Sequence, residues 1–297
     1  MIDLTMVYFA CIGIALVCCL VLWRFSLLSL PANGEKGGAK VALMSPLLGF
    51  LLFLSTLSYV PRWVQQAMHY LDTHAMTSFS PIELAAWPQF VAIIVAAVVL
   101  IGFSLIHSQE VQARIWAQKG GVKQAFVSCV KGMGYCLLCY PIVIALVQSI
   151  HQAMQSFGFS LAKQQAAIEQ LSSLQSYPVL FWSMAACLVT LVPIIEELLF
   201  RGLLQNFFQA VVGARAACIL ASLFFALFHF TLEQGYTNVE LLTGLFLYSF
   251  FMGVFYVRTA SLWVPIGMHA LFNALSILLM IYTTLVHHAS FFSNFVR

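Results

Sequence analysis

A succession of apolar stretches, each near the ~20 residues that an α-helix needs to cross hydrocarbon, leaves this chain few ways to fold. They cover residues 4–23, 41–60, 90–107, 133–150, 180–200, 216–230, 241–257 and 262–286, and the fifth is expected to continue to about residue 211. Runs of this length and composition predict transmembrane helices. The fold class expected is therefore all-α: a polytopic integral membrane protein with about eight transmembrane helices, multi-pass in the cell (inner or cytoplasmic) membrane. Composition agrees. Only 8% of residues are charged, against about 25% in a soluble domain. The formal net charge of +3 comes without a block of like charges, so the expected partner is the lipid bilayer and not nucleic acid. The first stretch is not read as a signal peptide, because Asp3 precedes it, Arg24 follows it and no small-residue cleavage site stands out.

Lys and Arg alternate between the connections. Arg24, Lys36 and Lys40 follow the first stretch, and Arg114, Lys119, Lys123 and Lys131 follow the third. Arg215 follows the fifth and Arg258 the seventh, whereas the intervening connections are poorer in basic residues and carry Asp72, Glu83, Glu169, Glu233 and Glu240. By the positive-inside rule the odd-numbered connections are cytoplasmic and both termini lie outside. Two segments of the longer outer connections, "WVQQAMHYL" and "IHQAMQSF", are candidates for short helices.

Eight cysteines (Cys11, Cys18, Cys19, Cys129, Cys136, Cys139, Cys187 and Cys218) all fall in apolar runs. Cys136 and Cys139 form a CxxC with no polar loop or further ligand beside it, which predicts buried helix residues and not a redox or metal pair.

The stretch "PIIEELLFRG", from Pro193 to Gly202, is the anomaly. If Glu196, Glu197 and Arg201 all faced lipid, the cost would be on the order of 8–10 kcal/mol. Glu197 and Arg201, four apart, share a helix face and can pair. Glu196 is turned about 100° away and has no partner in its own helix. The bland reading puts these charges at a helix end among headgroups. Against it stand His229 in the next stretch, four residues after Phe225, and His269 with Asn273, four apart in the last. A lone histidine in an apolar helix is usually structural, but here two histidines, an asparagine and an unpaired glutamate occupy neighbouring stretches. Glu196 lies 17 residues before Gly213, the expected hairpin turn, and His229 lies 16 after it. In antiparallel helices the two meet at nearly the same depth. Converging intramembrane ionisable groups mark a functional site.

A carboxylate beside a histidine in a low-dielectric pocket can hold and activate a water, and His269 and Asn273 can both donate to an oxyanion. Glu197 with Arg201 would support the helix that carries the base. This is hydrolysis of an amide bond by direct water attack. GxSxG, a Ser–Lys dyad, a Cys–His nucleophile and HExxH are all missing from the sequence.

In order on three apolar helices, E-E-x-x-x-R (Glu196, Glu197, Arg201), F-x-x-x-H (Phe225, His229) and H-x-x-x-N (His269, Asn273) resemble the CPBP family. These are the type II CAAX prenyl endopeptidases and bacteriocin-processing enzymes, also called the Abi family. The resemblance covers roughly residues 180–285 and implies an intramembrane endopeptidase. It maps the base onto Glu196, the water-positioning histidine onto His229 and the oxyanion pair onto His269 and Asn273. It further implies a glutamate mechanism without cofactor and action near the cytoplasmic side, on a membrane-associated peptide or protein. The chain is accordingly divided into residues 1–177, helices and loops without a recognised motif, and residues 178–290, a catalytic helical core. Three alternatives stay open. A Zn²⁺ held by Glu196, His229 and His269 would make a metalloprotease with the same residues. A transporter would use the charges as a proton relay, although no inverted repeat supports one. A degenerate member would serve only as an immunity or scaffold protein.

Overall fold

A computed structural model describes residues 4–30, 41–74, 78–116, 121–159 and 166–295, so Lys36, Lys40, Lys119 and Lys163 lie outside the described residues. Every regular element among them is helical. They are α1 (Leu4–Arg24), α2 (Met44–His74), α3 (Pro81–Leu105), α4 (Gln109–Trp116), α5 (Val122–Ser156) and α6 (Ala166–Ser173). Then follow α7 (Pro178–Glu197), a π-helical segment (Leu198–Gln205), α8 (Asn206–Val212), α9 (Ala214–Phe228), a 3₁₀ turn (Leu232–Gln234), α10 (Thr237–Thr259) and α11 (Trp263–Phe295). This is the fold of a multi-pass integral membrane protein. By length and composition, six helices suffice to cross a membrane, with Pro178–Val212 as one continuous span. The apolar segments Tyr8–Arg24 and Ala214–Phe228 are shorter. At 15 residues, α9 rises about 22 Å, less than the ~30 Å of hydrocarbon.

Local chemistry sets the ends. Ser80 and Glu83 form a full capping box at the start of α3, with Pro81 in the first turn. It starts the helix nine residues earlier than its apolar run does. Gly213, at φ +82°, makes the turn between α8 and α9, where the sequence placed the hairpin. The two segments expected as short outer helices are instead the ends of α2 and α5, and α2 runs on through Pro61 at the end of its apolar stretch.

Hydrogen bonds tie the connections together at each end of the bundle. At one end the Arg258 guanidinium donates to the carbonyls of Ser26 and Ser29 at 2.6 and 2.7 Å. The Leu262 N–H donates to Trp116 O, and Arg114 Nε to Asn206 Oδ1. At the opposite end His151 bonds Glu240 at 2.9 Å, and Gln175 donates to Thr284. Between the ends, α5 and α11 pack at backbone contact. A Cβ at Gly132 would collide with the Val264 carbonyl, and one at Gly267 with the Cys129 carbonyl. Cys136 and Cys139 are fully buried in α5, in line with their apolar surroundings in the sequence.

Candidate active site

Glu196 and Glu197 end the regular part of a helix that Pro193 has already loosened, since proline donates no N–H to the carbonyl four residues back. The ladder then widens to π geometry over Leu198–Gln205, a distortion that recurs at functional sites. Glu197, Arg201 and Gln205 come out on one face, 0%, 1% and 0% exposed.

Arg201 Nη1 lies 3.0 and 3.1 Å from the two Glu197 oxygens. Its Nη2 donates to the Ser249 carbonyl and hydroxyl at 3.0 and 2.7 Å, and its guanidinium carbon stands 4.9 Å from the centre of the Phe225 ring. A buried cation with this many partners is satisfied, and truncating it strands Glu197. Arg201→Ala is expected to lower stability by about 3–5 kcal/mol, read as denaturant or thermal unfolding in a single detergent. An unchanged midpoint would mean that the pair is not buried.

Glu196 faces elsewhere. Its Oε2 is buried without a hydrogen-bond partner and lies 3.9 Å from both His229 Nε2 and His269 Nε2. The far side of each ring is engaged. His229 Nδ1 bonds the Phe225 carbonyl at 2.8 Å, and His269 Nδ1 bonds Glu197 Oε1 at 2.9 Å. A carbonyl and an ionised carboxylate accept only, so Nδ1 carries the proton in each neutral ring and Nε2 offers a lone pair. The tautomer thus follows from the partners. With both rings neutral and Glu196 ionised, the three converging atoms are all acceptors. Hydrogen bonds of about 2.8 Å from one water reach across a 3.9 Å gap. Zinc bonds of 2.0–2.1 Å would instead set ligand atoms about 3.4 Å apart in a tetrahedral shell. Among the described residues no group of three His, Cys, Asp or Glu is placed to hold a metal ion, so the residues do not fit a zinc site as they stand.

Asn273 Nδ2 donates to the Leu188 carbonyl at 2.7 Å, tying α11 to α7. This uses one of its two amide hydrogens, and the second is left for another acceptor. Glu196, His229, His269 and Asn273 all line one cavity of ≈ 370 Å³. The remaining wall is mostly apolar and comes partly from elements that precede α7, through Phe53 and Leu57 of α2, Ile93 of α3 and Ile168 of α6. Gln234 also lines it. That side chain is 6% exposed, and its Oε1 is buried without a partner. The loop that carries it is pinned by Asn238, whose Nδ2 donates to the carbonyls of Thr231 and Gly235 at 2.7 and 3.1 Å.

The structure therefore brings the six sequence-derived residues into two linked groups. Glu196, His229, His269 and Asn273 face the cavity, and Glu197 with Arg201 lies behind, joined through His269. Sequence reasoning missed Ser249, Gln234 and the second asparagine, Asn238. A polar residue in an apolar helix was visible at Ser249, but nothing in its spacing linked it to Arg201, 48 positions away.

Residues 178–275 match the family described as type II CAAX prenyl endopeptidase Rce1-like. That segment is about a third of the chain and holds all three motifs. No curated protein and no solved structure matches the chain.

Proposed function

We propose that the protein is an intramembrane endopeptidase that hydrolyses a peptide bond in a membrane-associated peptide or protein, using a water activated by Glu196 and oriented by His229. One observation carries this reading. A buried carboxylate oxygen with no partner and two bare imidazole nitrogens converge in a cavity deep among apolar helices. The match of residues 178–275 to an endopeptidase family supports it.

In the reaction the water oxygen attacks the scissile carbonyl and one water proton passes to Glu196. The carbonyl oxygen becomes an oxyanion. Asn273 offers it the N–H not held by Leu188. His269 adds a second donor when its Nε2 has taken a proton from bulk water before the attack, a proton it keeps through the cycle while Glu197, already on Nδ1, balances the imidazolium. Collapse breaks the C–N bond, Glu196 returns its proton to the leaving amine, and the second water proton leaves with the carboxyl product. Gln234 presents an acceptor to a substrate N–H, which gives its buried oxygen the partner it lacks in the free protein.

The test is a proteomic comparison of membranes from cells making the wild-type protein or Glu196→Ala. Cleavage products present only with wild type are expected, and identical peptide profiles would overturn the reading. The same cleavage is expected to survive a strong chelator in purified protein. Activity lost to chelator and restored by Zn²⁺ would establish instead the zinc enzyme built on Glu196, His229 and His269.

A further inference from the structure

We infer that Gln234 reads the main chain of the substrate: its side-chain oxygen accepts the N–H of one extended residue beside the scissile bond, so that proline and other N-alkylated residues are excluded at that position. The inference rests on the endopeptidase reading and adds to it a requirement on the polypeptide that the site accepts.

Three observations on the loop between α9 and α10 meet here. The first is the direction of its side chains. Leu232 is 86% exposed, and Phe230 and Tyr236 are exposed as well, so the loop turns its bulky apolar groups outward. Gln234 turns inward. It is 6% exposed and lines the cavity that also holds Glu196, His229 and Asn273. The second is the state of its oxygen. Oε1 is buried with no hydrogen-bond partner among the described residues, a condition that folded proteins seldom leave a polar atom in. The third is the rigidity of the loop. The Gln234 N–H donates to the Thr231 carbonyl at 3.3 Å. Asn238 spans the loop: its Nδ2 donates to the carbonyls of Thr231 and Gly235, and its Oδ1 accepts from the Thr231 N–H at 3.4 Å. Gly235 turns the chain at φ +50°, where a side chain would be strained. Gln234 is thus held between anchored neighbours, and its inward oxygen is a fixed feature of the free protein.

The chemistry of the donor follows from what else faces the cavity. With both rings neutral, Glu196 Oε2 and the two histidine Nε2 atoms are acceptors, so they offer Gln234 nothing. A bound polypeptide does. Every residue except proline brings one N–H and one carbonyl. The carbonyl at the scissile bond goes to Asn273 and the attacking water, and an N–H goes to Gln234. A space of ≈ 370 Å³ taken as a sphere is about 9 Å across, which an extended chain crosses in about three residues. The N–H received by Gln234 therefore belongs to the scissile residue pair or to an immediate neighbour. Oε1 has already shed its water in the free protein, so accepting this N–H carries no desolvation cost on the enzyme's side. The contact reads the main chain and is indifferent to side-chain identity, apart from the exclusion of residues that lack the N–H.

A double-mutant cycle between enzyme and substrate tests this on purified full-length protein in detergent. The probes are internally quenched peptides that copy one site cleaved in wild-type but not in Glu196→Ala membranes, N-methylated at one residue at a time around the scissile bond. With wild type, one position is expected at which N-methylation lowers kcat/KM by about 10–100-fold. Gln234→Leu is expected to start lower by a similar factor on the unmethylated peptide, and to lose no more than about threefold further from that same N-methyl group. Its unfolding midpoint is expected to hold or rise. N-methylation of the scissile nitrogen itself acts on the chemistry and should affect both enzymes alike. Equal sensitivity of the two enzymes at every position overturns the inference and leaves Gln234 as cavity wall or as the seat of a water. Should Gln234→Leu not fold, Gln234→Met, unbranched and of similar length, takes its place. The wild-type scan also refutes by itself, if N-methylation is tolerated everywhere except at the scissile nitrogen. If no site distinguishes wild-type from Glu196→Ala membranes, the endopeptidase reading falls and this inference with it. If such a site exists and the cycle is additive, the reading stands and only the main-chain contact falls.

Discussion

Glu196→Gln is expected to lose cleavage by on the order of 10²–10⁴-fold while folded yield and unfolding midpoint hold or rise. The amide keeps the shape of the carboxylate but cannot take a proton from water. The stability half of the expectation comes from the geometry. Glu196 Oε2 is buried with no hydrogen-bond partner, so the free protein carries a desolvated carboxylate that a neutral side chain relieves. A site residue whose conservative replacement costs function and not stability is what a catalytic base predicts. If Glu196→Gln cleaves at the wild-type rate, the base is elsewhere and the mechanism above fails. If it cleaves no substrate but also unfolds, Glu196 is structural.

Gly132→Ala and Gly267→Ala carry the largest expected effect on folding. Overpacking ordinarily costs about 1–3 kcal/mol because neighbouring side chains yield. Here the obstacles are the backbone carbonyls of Val264 and Cys129, and two long helices must move apart. Each substitution is expected to cost at least the upper end of that range and to lower folded yield in membranes. Gly134, two residues along α5 from Gly132, has nothing within 4 Å of a built Cβ. Gly134→Ala should be neutral or stabilising, since alanine is the better helix former by about 1 kcal/mol. Comparing the pair by yield and thermal unfolding isolates the contact from the propensity. Equal behaviour of Gly132→Ala and Gly134→Ala would refute the close crossing.

The site was legible in the sequence because ionisable groups are conspicuous where nearly everything is apolar. Glu196 and His229 needed only the hairpin at Gly213 and a helical rise to be brought together, and His269 came to the same zone from the turn near Arg258–Ser261. The pairing of Glu197 with Arg201 followed from their spacing. The π-helical segment was not legible, and the partners of its buried Arg201 and Gln205, Ser249 and Gly253, lie on another helix. The contribution of α2, α3 and α6 to the cavity was equally hidden. Phe53, Leu57, Ile93 and Ile168 are ordinary apolar residues, and their role comes only from tertiary position. Gln234 sat in what read as a plain connection. What the sequence did offer and the apolar-run criterion overlooked was Ser80-Pro81-Ile82-Glu83, whose capping pattern announces the start of α3 ahead of its hydrophobic stretch.

Glu197 accepts from Arg201 on one side and His269 on the other. A single carboxylate is thus shared between an ion pair that holds helices together and a ring that faces the cavity. Substitutions at Arg201 and His269 are therefore not independent, and their effects will not add in a double-mutant cycle. In evolutionary terms Arg201 is held by two selections at once, although it reaches no substrate. A lineage that gave up catalysis would free His229 and Asn273 to drift first, whereas Glu197 and Arg201 would persist as a fossil of the site for as long as the bundle still had to fold.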